Sequence, residues 1–291
     1  MKVIEESCIG IVGLGLMGGA IAIALRRVMK DGNPQHSGAI FAYDIDTETL
    51  ETAKTQGVID QGFTNSDEML KSCDLVFLCL NPSTLLKFMG KHMGAFKTGT
   101  LITDIAGVKS GIVSAMETGL RDDLDYIPGH PMAGSEKGGF ANAAHCDFHG
   151  KNYILTPLKR NKIENLDYLK TLIFRMGFSR ITETSAALHD AKIAFTSQLC
   201  HVIAAALIDC EADREITRFG GGSFEDLTRI AMLNAPMWTE LFIENREELL
   251  RRIEQFEGSL DSLKAMIKGG EEKELIERLG LVRDRRAAMS G

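Results

Sequence analysis

The hexapeptide Gly13-Leu14-Gly15-Leu16-Met17-Gly18 narrows what this chain can fold into more than any other segment. It follows the apolar run Cys8–Val12 and opens a helical pattern over residues 20–29. In that context G-x-G-x-x-G is a strand–turn–helix unit that cradles a pyrophosphate. The first glycine permits the tight turn, the second lets backbone approach phosphate, and the third lets helix pack on strand. The helix start adds free N–H groups and a positive dipole end. Gly13, Gly15, Leu16, Met17 and Gly18 are therefore the expected cofactor-binding residues. The next apolar run, Ala39–Tyr43, ends at Asp44, placed to accept hydrogen bonds from an adenosine ribose. Asp46 adds a second negative charge, which would repel a ribose 2′-phosphate, so NAD is expected over NADP. The plain alternative is that Asp44 is a turn residue, with Asp46 capping the next helix.

The strand–helix alternation continues. Strand-like runs cover residues 75–80, 100–103, 126–128 and 153–156, with helical stretches over 47–56, 83–93 and 109–118. Continuous apolar strands alternating with helices imply a parallel sheet covered on both faces. After about Thr182 no strand pattern remains. Helices are expected over 185–210, 225–233, 237–268 and 271–289, with a glycine-rich break at 220–223. The fold class expected is α/β: an N-terminal Rossmann-type doubly wound parallel sheet, residues 1–183, followed by an all-helical C-terminal domain, residues 184–291.

Bulk properties limit the function. The chain has 291 residues, a net charge of −7 and 44% hydrophobic residues, enough for a substantial core. The acidic balance argues against nucleic acid as partner. The six cysteines lack C-x-x-C spacing, so reduced thiols in a cytoplasmic protein are expected, with no metal site. No basic segment precedes a long apolar one at the N-terminus, and no stretch is expected to span a membrane.

Three later segments carry chemistry. Gly129-His130-Pro131-Met132-Ala133-Gly134-Ser135-Glu136-Lys137 follows a strand and so lies at the ligand-binding edge of the sheet. A neutral His130 imidazole there can take a proton from a substrate hydroxyl. His201, in Ser197-Gln198-Leu199-Cys200-His201, falls on the long helix. Arg229, in the run from Gly220 to Ala231, can present a guanidinium to a carboxylate. Each has a bland reading as well: a loop histidine, a helix histidine, a solvated arginine.

Taken with Asp104-Ile105-Ala106-Gly107-Val108-Lys109, Trp238 and Asn245, these segments match in order and spacing. The chain resembles the prephenate/arogenate dehydrogenase family from end to end. The resemblance implies an NAD-linked oxidative decarboxylation in tyrosine biosynthesis. A cyclohexadienyl ring loses hydride from its hydroxyl-bearing carbon and its ring carboxylate as carbon dioxide, and so becomes aromatic. It implies that His130 hydrogen-bonds the hydroxyl and that Arg229 binds a substrate carboxylate. It also implies that His201 lines the substrate and nicotinamide pocket, that Ser135 and Glu136 stand at its entrance, and that the helical domain makes a homodimer. The chain departs from the family where a serine that assists the catalytic histidine is replaced by Gly107, with Ser110 displaced along the chain. It departs again at Glu225, where a base is common. An acid there would repel the side-chain carboxylate of prephenate and suit the ammonium of arogenate. Two other readings are weighed. A β-hydroxyacid dehydrogenase would use a lysine on the long helix, where Lys192 lacks the expected surroundings. A catalytically silent dinucleotide sensor would not need His130, His201 and Arg229 together.

Overall fold

The computed structural model describes residues 3–32, 37–134 and 137–289. Among these, the first half forms a six-stranded parallel sheet. Its strands are β1 (Cys8–Val12), β2 (Ala39–Tyr43), β3 (Gln61–Phe63), β4 (Leu75–Leu78), β5 (Leu101–Asp104) and β6 (Asp125–Ile127), in the order β3-β2-β1-β4-β5-β6. The order reverses between β1 and β4, so the crevice at their carboxyl ends is the natural ligand site. Ile9, Ile11, Leu75 and Phe77 are fully buried between helices on one face, and Val12, Val76, Leu78 and Ile102 on the other. Burial on both faces is what their unbroken apolar runs require. The crossovers are helical: α1 (Leu16–Gly32), α2 (Thr47–Thr55), α3 (Ser66–Leu70), α4 (Pro82–His92) and α5 (Ser110–Gly119).

A smaller mixed sheet follows: β7 (Gly129–Pro131), β8 (Asn152–Leu155) and β9 (Arg180–Glu183), with α6 (Ile163–Arg175) between the last two. The sequence pattern predicts only the middle strand, and treats the Gly129–Pro131 segment as a loop. Here the structure corrects it. His130 pairs with Ile154 in an edge strand, where Pro131 has no partner to deprive of an N–H. Three residues of glycine, histidine and proline carry no strand signal of their own. Tertiary packing imposes it: a Cβ on Gly129 would meet the Tyr153 ring at 2.7 Å.

The rest is helical: α7 (Ala186–Ile193), a π-helical turn (Ala194–Gln198), α8 (Leu199–Asp209), α9 (Gly222–Thr228), α10 (Ala235–Glu244), α11 (Arg246–Gly269) and α12 (Glu272–Ala288). The sequence predicts one helix over 237–268; the structure breaks it at Asn245. That side chain is buried and donates to the Asp190 carbonyl at 3.0 Å and to Gln198 Oε1 at 2.8 Å. Its φ of −115° ends the helix there. The run Ala186–Asp209 is long and apolar enough to cross a membrane, contrary to expectation. Yet His189, Asp190 and Gln198 on it are buried in hydrogen bonds with the rest of the chain, so it reads as the central helix between the two halves.

Candidate active site

The glycine turn is built as its spacing requires. Gly13 has a φ of +90°, and a Cβ on it would lie 2.6 Å from the Cys79 carbonyl oxygen. A Cβ on Gly18 would lie 2.0 Å from the Gly13 carbonyl oxygen, so α1 can approach β1 only through glycine. Gly15 is exposed with open space before it, while Leu16 and Met17 start α1 half-buried. A phosphate group can therefore approach the backbone N–H groups there. Asp44 receives the Leu14 N–H at 2.6 Å on one carboxylate oxygen and the Asp46 N–H at 2.9 Å on the other. Each oxygen keeps lone-pair capacity for a hydroxyl. Asp46 caps α2 by accepting from Glu48 N and Thr49 Oγ1, and these hydrogen bonds lower its pKa. The capping role thus falls to Asp46, as the plain reading of the sequence had it.

Beneath the carboxyl end of β5 lies a buried polar cluster. Asp104 and Lys109 are both fully buried and meet at 2.5 Å. The Asp104 carboxylate also accepts from Tyr126 Oη at 2.7 Å, Ala106 N at 2.9 Å and Gly129 N at 3.2 Å. Burial lowers the Lys109 pKa, against the attraction of Asp104. Burial also pushes Tyr126 well above its ordinary value, which keeps the phenol a donor. This cluster holds the β5–α5 turn against β7 and so fixes the strand that carries His130.

His130 is half-buried. Its Nδ1 lies 2.9 Å from His189 Nε2, and His189 Nδ1 lies 2.7 Å from Asp190 Oδ1. Asp190 also accepts the Lys109 and Ser110 N–H groups at 2.8 and 2.7 Å, which ties α7 to the start of α5. Burial drives the His130 pKa well below 6.5, helped by His189 and Lys109, so the ring is neutral at physiological pH. His189, 1% exposed, is lowered by burial against the pull of Asp190. Burial raises the Asp190 carboxyl, but hydrogen bonds from His189 and Ser110 outweigh it and hold the group below its usual range.

The helical half closes over this cluster. A Cβ at Gly107 would touch Leu241 at 3.4 Å and His130 Cε1 at 3.8 Å, so Leu241 of α10 stands beside His130. One turn earlier on α10, Trp238 stacks on His201, with ring centroids 3.7 Å apart. His201 Nδ1 donates to the Ser197 carbonyl at 2.9 Å, and burial lowers its pKa. Trp238 and Leu241 share a helix face, so the same face of α10 meets His201 at one turn and stands beside His130 at the next. Arg229 is exposed, in a short turn (Arg229–Ala231) packed against α8, the helix of His201. Glu225, one turn before it on α9, is exposed. Ser110 points its N–H at Asp190 rather than serving His130. Ser135 and Glu136 lie outside the described residues. Sequence reasoning missed His189 and Asp190. Their only signal is adjacency, a His-Asp pair a turn beyond Ser185, whose side chain caps α7.

Comparison with known proteins follows the same division. The family profile described as "Prephenate dehydrogenase, nucleotide-binding domain" matches residues 24–181, and "Prephenate dehydrogenase, dimerization domain" matches residues 185–281. A prephenate dehydrogenase of Bacillus subtilis is 28% identical over 284 residues, spanning 95% of this chain and 74% of that protein. The crystal structure of prephenate dehydrogenase from Aquifex aeolicus, in complex with hydroxyphenyl propionate and NAD+, superposes with a TM-score of 0.84 at 32% identity, covering 98% of each chain. That of Synechocystis arogenate dehydrogenase superposes with a TM-score of 0.77 at 25% identity, covering 97% of this chain and 99% of the other.

Proposed function

This chain belongs to the prephenate dehydrogenase family, and from that premise we propose that it catalyses the NAD-dependent oxidative decarboxylation of prephenate to 4-hydroxyphenylpyruvate. The observation that carries the reading is His130: a neutral imidazole, anchored through Nδ1, at the carboxyl end of a sheet whose glycine turn is open at Gly15. NAD, when bound, supplies the hydride acceptor. Gly13, Gly15, Leu16, Met17 and Gly18 suit its pyrophosphate, and Asp44 suits its ribose, with Asp46 adding the charge that disfavours a 2′-phosphate. His130 takes the hydroxyl proton as the hydride leaves the same carbon. Arg229 pairs with a substrate carboxylate, and His201, stacked on Trp238, lines the pocket. Because aromatisation drives the loss of carbon dioxide, the protein's work is to orient the ring and accept one proton.

Arogenate is the second reading, favoured by Glu225, whose carboxylate sits one turn from Arg229 where an ammonium would be welcome. The division of labour falls between residues 1–183, which hold the cofactor, and 184–291, which hold substrate and make a homodimer. The apolar side chains left exposed on α11 and α12, among them Leu260, Ile267, Ile276 and Leu279, support the dimer. No disulfide joins any of the cysteines among the described residues, which suits a reducing, cytoplasmic setting. The test is an absorbance assay of NADH formation with prephenate and arogenate side by side. Turnover of prephenate is the expected result, preference for arogenate would implicate Glu225, and NAD binding without turnover of either would overturn the reading.

A further inference from the structure

We infer that His189 and Asp190 are positioning residues that fix the tautomer of His130, leaving its Nε2 as the bare base that faces the substrate. The inference rests on His130 being the proton acceptor proposed above. It begins at Asp190, whose carboxylate holds two backbone N–H groups at the start of α5 and therefore acts there only as an acceptor. The group 2.7 Å from Asp190 Oδ1 is His189 Nδ1, so that nitrogen carries the proton. His189 is enclosed and neutral, so its Nε2 is a lone pair. That lone pair lies 2.9 Å from His130 Nδ1, which must then donate to it. A neutral imidazole with its proton on Nδ1 has a free lone pair on Nε2.

Each assignment forces the next, and the direction runs from a helix start to the reacting proton. Asn245 secures the far end by binding the Asp190 carbonyl. Gly107 makes this arrangement necessary. At that position the family resemblance places a serine that assists the histidine, and here a side chain would begin only 3.8 Å from His130 Cε1. With no hydroxyl on that side, orientation comes from behind the ring. When His130 accepts the substrate proton on Nε2, the charge that forms is shared through Nδ1–H with His189. This is the same physical reason for which a buried carboxylate assists a catalytic histidine elsewhere.

Two substitutions at His189 separate orientation from packing. His189→Phe keeps the ring contact with His130 but removes the acceptor; His189→Gln can return an oxygen close to the position of Nε2. We expect His189→Phe to lower kcat about 100-fold with KM for substrate and NAD changed less than about threefold. His189→Gln should recover to within about tenfold of the parent. In the 15N spectrum of the parent enzyme, the His130 ring should report protonation at Nδ1. A Gln variant no better than Phe, or a His130 protonated at Nε2 in the resting enzyme, would overturn the inference. The proposed function fails separately: His130→Asn with unimpaired turnover would remove His130 as the base, whatever the His189 variants do.

Discussion

In the first half, Ile9, Ile11, Leu75, Phe77 and Leu101 have no exposed surface, and even the charges of Asp104 and Lys109 are sealed from water. In the second half, α11 and α12 leave Leu260, Ile267, Ile276 and Leu281 more than half exposed, and Leu249 is the only buried residue along the two helices among those described. One half is complete as a monomer and spends its interior on a polar cluster. The other has apolar surface whose burial waits for a partner. The site lies where the two meet, so it takes rigidity from the first half and closure from the second.

The contrast can be broken most severely at the ion pair. Lys109→Met leaves Asp104 buried without its cation and should cost about 3–5 kcal/mol of stability, measured by urea unfolding. A loss below about 1 kcal/mol would mean that water reaches the cluster. Next in size is His130→Asn, which should lower kcat by at least about 100-fold, or roughly 3 kcal/mol in the barrier, while NAD affinity changes little. Equal losses in both would make His130 a structural residue of β7. On the other side of the comparison, Ile276→Glu with Leu279→Glu should leave the monomer folded and weaken self-association by about 2 kcal/mol, read by sedimentation. Unaltered association would place the partner surface elsewhere on the helical half.

The smallest effect is in pH. The His189 pKa is lowered in the fold from 6.5. As pH falls below 6.5, the unfolded chain takes up the proton first, so stability is complete above that pH. It declines on acidification until the folded value is reached, and then levels. The slope inside that window is about 1 kcal/mol per pH unit. In His189→Phe the melting temperature should depend less on pH between 7 and 5. An unchanged slope would show that His189 is protonated in the native state.

Legibility in the sequence follows the same divide. The β1–α1–β2 unit is readable because glycine spacing and unbroken apolar runs are local signals. Strand β3, Gln61–Phe63, is not: three exposed or half-buried edge residues have no alternation to read. Helix α6 was readable, since its buried Leu166, Leu169, Leu172 and Ile173 follow helical spacing, yet it is absent from the expectation. The site residues Gly13 and Asp44, on turns, and His130, on the short strand β7, stand out by motif. The partnership of His130 with His189 does not, because it joins residues 59 positions apart. Adjacent helix residues such as His189 and Asp190 ordinarily point apart, and nothing local says that they act together.

The π-helical turn at Ala194–Gln198 has a geometric consequence for the two histidines on either side of it. His189 and His201 are twelve positions apart. In a regular helix that spacing leaves them about a third of a turn out of alignment. A π turn absorbs one extra residue, which makes the effective spacing about three whole turns and rotates both side chains onto one line. The helix is thus phased by an insertion. Deleting one residue within 194–198 would close the π turn into regular helix and leave eleven positions between the histidines, still about three whole turns, so His201 would stay in line with His189. Loss of a residue between the histidines but outside the turn, with the turn retained, is what would rotate His201 by roughly 100° away from Trp238.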